Sequence, residues 1–119
     1  MYLFLDDERS PDQVRIPQRF DNGSEIEWTV VKNAHECISF LEKGNVKWLS
    51  LDHDLGIGAY NGYDVVHWLI EQYHTNPDFK FPEEIWIHTM NPYAGDDMMK
   101  SLEKIGLHPK RAFLMKKLR

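Results

Sequence analysis

Five short apolar runs, each giving way to polar residues, divide this chain. Tyr2-Leu3-Phe4-Leu5 stops at Asp6-Asp7-Glu8-Arg9, and Val46 to Leu51 breaks into Asp52-His53-Asp54-Leu55-Gly56. Glu84 to Thr89 turns polar at His88, Glu25 to Val31 alternates before becoming apolar, and Ala112 to Met115 is the last run. Runs of this length, rich in β-branched and aromatic residues, predict strands. Between them the period changes. Behind a capping Asn33, residues Ala34, Cys37, Ile38 and Leu41 fall on one helical face that ends at Gly44. Tyr63 to Tyr73 repeats the pattern with Val65, Val66, Leu69 and Tyr73 inward, and yields to Thr75-Asn76-Pro77-Asp78. After the turn at Asn91-Pro92, a third helix is predicted with Asp96 and Asp97 in its first turn. Met98, Met99, Leu102 and Ile105 form its stripe, and Gly106 ends it. Ser10 to Ser24 has no sustained period and contains Pro11, Pro17 and Asn22-Gly23, so it reads as a loop.

Strands alternating with helices predict an α/β fold with a parallel sheet, right-handed crossovers and helices on both faces. A chain of 119 residues suits one domain, residues 1–119. With 42% hydrophobic and 28% charged residues, and no apolar run of membrane length, it reads as a water-soluble globule with no membrane partner. The opening residues lack a basic lead and a small-residue cleavage site, which points to a cytoplasmic protein. Cys37 is the single cysteine and sits at core spacing, as a filler. A net charge of −5 argues against a wide footprint on duplex DNA, leaving small or single-stranded nucleic acid as a substrate. The basic residues Lys110, Arg111, Lys116, Lys117 and Arg119 read as a solvated terminus, or as a steering patch for an anion.

In a parallel sheet the C-terminal strand ends share one edge, which brings Asp6 and Asp7, Asp52 to Asp54, and His88 with Thr89 together. Clustered carboxylates need a cation, a shared proton or a donor. One chemistry is a hard cation such as Mg²⁺ held by Asp6, Asp7 and Asp52. Another is an acid and base pair made of His53 and His88. Set against these, the acidic run reads equally as a solvated turn, and each histidine as a strand-end cap. Arg9 suits either an anion or a salt bridge to Glu8 or Asp12, and Thr89 either a phosphate oxygen or a local turn. Tyr60 and Tyr63 border the loop as stacking or packing residues. The glycines from Gly56 to Gly62 match neither the dinucleotide fingerprint nor the Walker pattern. His35, His67, His74 and His108 fall away from the shared edge.

The acidic pair after the first strand, the Asp ending the third and the hydroxyl ending the fourth resemble receiver domains of two-component response regulators. By that match Asp52 takes the phosphoacceptor position and Asp6 and Asp7 the metal-binding pair. The chain departs from receivers in its missing first helix, in His53-Asp54-Leu55-Gly56 after Asp52, in His88 before the hydroxyl, and in lacking a Lys-Pro pair after strand five. Leu3 to Pro11, Ser50 to Gly56, Asn61-Gly62-Tyr63-Asp64 and Ile87 to Pro92 are more similar to the cyclic-phosphate processing receiver domains. This resemblance implies a three-layer, flavodoxin-like five-stranded sheet of order 2-1-3-4-5 with the first helix reduced or replaced by a loop. It further implies a phosphoesterase acting on cyclic phosphate termini of RNA or on cyclic nucleotides, in RNA repair in phage or bacterial settings. His53, His88 and Asp52 would be catalytic. Arg9, Thr89, Asn91, Asn61 and Gly62 would bind substrate, and Asp6, Asp7, Asp52 and Asp54 would hold Mg²⁺ or another divalent metal. The competing readings are a non-enzymatic receiver-derived binding module and a phosphoacceptor domain modified at Asp52.

Overall fold

A computed structural model describes residues 1–56 and 60–115. Five parallel strands, β1 (Tyr2–Leu5), β2 (Trp28–Val31), β3 (Trp48–Leu51), β4 (Glu84–Ile87) and β5 (Lys110–Arg111), form one sheet in the order β2-β1-β3-β4-β5. Three helices, α1 (Ala34–Glu42), α2 (Gly62–Thr75) and α3 (Pro92–Glu103), connect the last four strands in turn. The first connection carries only a 3-10 turn, Pro11–Gln13. No helix among the described residues is long and apolar enough to cross a membrane.

The period-2 alternation of the strands gives the sheet two different faces. Leu3, Leu5, Leu49, Leu51, Ile85 and Ile87 point to one face, where Ala34, Cys37, Leu41, Val65, Val66, Leu69, Met98 and Leu102 of the three helices pack on them. Phe4, Trp86, Trp28 and Trp48 point to the other, and no described helix lies there. That face is covered instead by Val14, Ile16, Ala112 and Leu114. The expectation of helices on both faces is therefore corrected: the third layer is a loop. Two prolines bar a regular helix in Ser10 to Ser24, so its apolar residues pack one by one. Phe20 sets its ring against Tyr2 and Trp48, and the Trp28 indole N–H donates to the Pro17 carbonyl at 2.9 Å.

Further details differ from the sequence reading. The fifth strand ends at Arg111 rather than starting at Ala112. Residues 113–115 pair antiparallel with 13–15 through Arg15 N–H to the Phe113 carbonyl, 2.8 Å, and Met115 N–H to the Gln13 carbonyl, 3.0 Å. The alternation of Ala112 to Met115 is real, since Leu114 turns inward and Phe113 is exposed, but its partner is the loop. Glu25 likewise pairs with Arg19 in an isolated bridge outside β2. In α3, Asn91 caps the helix by accepting the Ala94 N–H, and Pro92 occupies its first position, which moves Asp96 and Asp97 out of the first turn. Tyr73 is half-exposed rather than inward, because fourteen residues of α2 make about 21 Å of helix against strands of about 13 Å.

If the loop does the work of the absent helix, its apolar residues carry core energies. Replacing Val14 and Ile16 together by Ser is expected to cost roughly 3–5 kcal/mol in urea unfolding. A loss below about 0.5 kcal/mol would show the segment to be merely draped over the sheet.

Candidate functional site at the C-terminal sheet edge

One residue beyond each strand, the ladder continues by a single backbone bond. The Asp6 N–H donates to the Val31 carbonyl at 3.0 Å, the Asp52 N–H to Leu5 at 3.0 Å and the His88 N–H to Leu51 at 2.9 Å. Asp6, Asp52 and His88 therefore form one row across β1, β3 and β4, on the same face as Phe4, Ser50 and Trp86. All three are buried, and one potential ligand atom from each lies within 4.8 Å of the others. By spacing and residue type, the trio is compatible with a metal site.

Asp6 is the most fully engaged group. Its Oδ1 accepts the N–H groups of Glu8 and Arg9, both at 2.9 Å, and its Oδ2 accepts His88 Nε2 at 3.2 Å and Arg9 Nη1 at 3.4 Å. Burial pushes its carboxyl up, but the bonds from His88, Arg9 and Glu8 together outweigh this and hold it below the usual carboxylate range. The ionised Asp6 can only accept, so the His88 proton is on Nε2. Nδ1 then accepts the Ser50 hydroxyl at 2.6 Å. The His88 ring stacks on Phe4 at 4.5 Å, wholly buried. Burial, with Arg9 and Arg111 adding to it, pushes His88 below the ordinary imidazole value despite Asp6, so the ring is neutral. Ser50, His88 and Asp6 have the composition of a nucleophilic triad, yet Ser50 and His88 are wholly enclosed and Ser50 faces Nδ1. His88 is wholly buried and neither nitrogen reaches the surface, where a direct acid or base role would need one.

Asp52 lies beside this saturated carboxylate and takes the consequences. Burial and the Asp6 charge push its carboxyl up to about 6, against the His53 N–H, Arg9 and the Thr89 hydroxyl. Its Oδ1 accepts the His53 N–H at 2.8 Å, and Arg9 Nη1 stands 3.6 Å from its Oδ2. Arg9 thus bridges Asp6 and Asp52 instead of pairing with Glu8 or Asp12. His53 is partly buried, with Nδ1 2.8 Å from Asp54 Oδ1. The cavity in front of these groups is about 100 Å³ and is lined by Asp7, Glu8, Arg9, Asp52, Asp54, Gly56 and Met90.

The remaining expected binding residues make local backbone bonds or close approaches. Asn61 caps α2 by accepting the Tyr63 N–H at 2.8 Å, and Asn91 caps α3. Thr89 is buried, and its hydroxyl accepts the Asn91 N–H at 3.2 Å. At Gly62 a Cβ would fall 1.8 Å from the Asp52 carbonyl oxygen, so only glycine lets α2 start against the end of β3. Tyr63 hydrogen-bonds Ser101 and Tyr60 meets the His35 ring edge-on; Trp68 packs against Phe79. The glycine loop's Ile57, Gly58 and Ala59, and the basic Lys116, Lys117 and Arg119, lie outside the described residues.

The roles of two residues here escaped sequence reasoning, which takes Arg111 only as part of a solvated or anion-steering terminus. Ser50 had a signal, since it interrupts an apolar run two residues before Asp52 and so shares its face. Arg111 had none without the register of β5. Its guanidinium donates to the carbonyls of Ile87 at 2.8 Å and Thr89 at 3.1 Å, in space left by Gly95.

The family model described as "Cyclic-phosphate processing Receiver domain" matches residues 1–104. The chain belongs to this family. Among solved structures, the signal receiver domain of a Luxo repressor protein from Vibrio parahaemolyticus is similar at 20% identity with a TM-score of 0.59. That match covers 99% of this chain and 78% of the other, and it shows the receiver fold. A comparison with curated proteins gave no match.

The raised Asp52 has a stability consequence with a definite sign. The folded state holds this proton more tightly than the unfolded chain, so the contribution of Asp52 is favourable at low pH and is lost as pH rises through about 6. In metal-free buffer, Asp52→Asn is expected to raise unfolding free energy by roughly 1–3 kcal/mol at about pH 8, and by little at about pH 4. A variant less stable than the parent at the higher pH would contradict this.

Proposed function

We propose that this receiver-like domain hydrolyses cyclic phosphate ends of RNA or cyclic nucleotides at the cavity bordered by Arg9, Asp52 and Asp54. The observation that carries the reading is that Asp54, whose Oδ1 stands 2.8 Å from His53 Nδ1, shares one small cavity with Asp52 and the Arg9 guanidinium, in a chain of the cyclic-phosphate processing family. Opening the ring joins a water oxygen to phosphorus and breaks one phosphorus–ribose oxygen bond. A proton leaves the water and one reaches the departing oxygen.

Asp54 accepts from Nδ1 and so orients His53 in the tautomer whose Nε2 takes a proton from water. Arg9 faces the phosphoryl oxygens. The departing ribose oxygen takes its proton from solvent at the open mouth. Asp6, Ser50 and His88 do not touch substrate; they hold Arg9 and Asp52 in place from behind.

The cavity bears four carboxyl groups, Asp7, Glu8, Asp52 and Asp54, against one guanidinium, so an anionic substrate needs further positive charge. Hard oxygen donors are the chemistry Mg²⁺ prefers, and Asp6, Asp7, Asp52 and Asp54 would hold it or another divalent cation. When bound, such a cation supplies charge stabilisation to the phosphoryl oxygens.

Phosphorus NMR of a 2′,3′-cyclic-phosphate dinucleotide tests the proposal. With Mg²⁺ present, ring opening is expected, and His53→Ala is expected to slow it about a hundredfold or more. Asp54→Asn should weaken it less. Absence of ring opening by folded protein would favour the binding-module reading.

A further inference from the structure

Resting on the reading of this edge as a cation-assisted phosphate site, we infer that Arg9 and a divalent cation are alternative occupants of the Asp6–Asp52 carboxylate pair. Metal binding then frees the Arg9 guanidinium to turn into the cavity and meet the phosphate. The atoms impose the competition. Asp6 Oδ1 is taken by two backbone N–H groups and Asp52 Oδ1 by a third, so the Oδ2 atoms are the ones available to a cation. Those are the atoms that Arg9 Nη1 holds, at 3.4 and 3.6 Å. Two positive groups within a few ångströms of each other repel, so the pair accepts one or the other.

Arg9 is also suited to leave. Charge-assisted hydrogen bonds close to about 2.7–2.9 Å, and both of its contacts are longer. Its backbone N–H is anchored on Asp6, so the side chain can turn without releasing the strand end. The side chain is 23% exposed and already lines the cavity. His88 stays behind, since its Nε2 proton makes it a donor to Asp6 and not a ligand.

The test is Mn²⁺ binding to the whole chain, read from the resonance of free Mn²⁺ in electron paramagnetic spectra. Arg9→Gln is expected to bind Mn²⁺ about tenfold tighter or more than the parent. Arg9→Lys should fall between, and Asp52→Asn should bind far more weakly than any of them. In the parent, nitrogen NMR should show the Arg9 side-chain resonance move toward its solvent-exposed position as Mg²⁺ is added, a readout that survives if Arg9→Gln fails to fold. Equal or weaker Mn²⁺ binding by folded Arg9→Gln, or an unmoved Arg9 resonance at saturating Mg²⁺, would overturn the inference while leaving the cation reading intact. No Mn²⁺ binding by any of the proteins would overturn both, whereas the ring-opening assay judges hydrolysis separately.

Discussion

A buried carboxylate must be fully hydrogen-bonded or give up its charge, and Asp6 meets that demand with four donors. Each donor ties a different part of the chain to the sheet edge. The Glu8 and Arg9 N–H groups fix the turn after β1, His88 brings in β4, and the Arg9 side chain reaches across to β3. Because Asp6 is satisfied so completely, its neighbour cannot be. Asp52 is itself buried and meets a full negative charge at close range with fewer donors, which leaves its carboxyl raised and its Oδ2 facing the Arg9 guanidinium. The asymmetry between adjacent carboxylates follows from strand register, since both occupy the same row.

The loop layer has a related logic. Ser50 and His88 lie on the face without helices, where the His88 ring stacks on Phe4, and the Asp6 row begins where the aromatic packing of that face stops. Tyr2, Trp28, Trp48 and Trp86 pack edge-to-face or tilted, supplying apolar area that a connection without a regular helix could not supply alone. The clasp of residues 13–15 onto 113–115 closes the layer. Among the described residues, no buried side-chain nitrogen or oxygen lacks a partner, so the polar row coexists with this packing without a stranded group.

Much of this was legible from periodicity. The strands, the helices and their order follow from two repeating patterns, and the shared edge follows from parallel pairing; the strand order came from the family resemblance. What periodicity could not supply was partner identity. Ala112 to Met115 alternates like a strand whether it joins the sheet or a loop, and Asn61 and Asn91 look equally suited to a phosphate or a helix cap. His88 illustrates the limit most clearly. Its position at a strand end was readable, but its burial depends on Phe4 and Ser50 from two other strands. Those neighbours convert an apparent proton-transfer group into a neutral strut.

The account therefore turns on the state of His88, which nitrogen NMR of the imidazole rings reads directly. A neutral ring with its proton on Nε2 that titrates only below the ordinary imidazole value is what a buried donor to Asp6 predicts. An imidazole that titrates near the ordinary value of about 6.5, or that carries its neutral-form proton on Nδ1, would contradict it. The edge would then be organised by something other than the bond between His88 and Asp6.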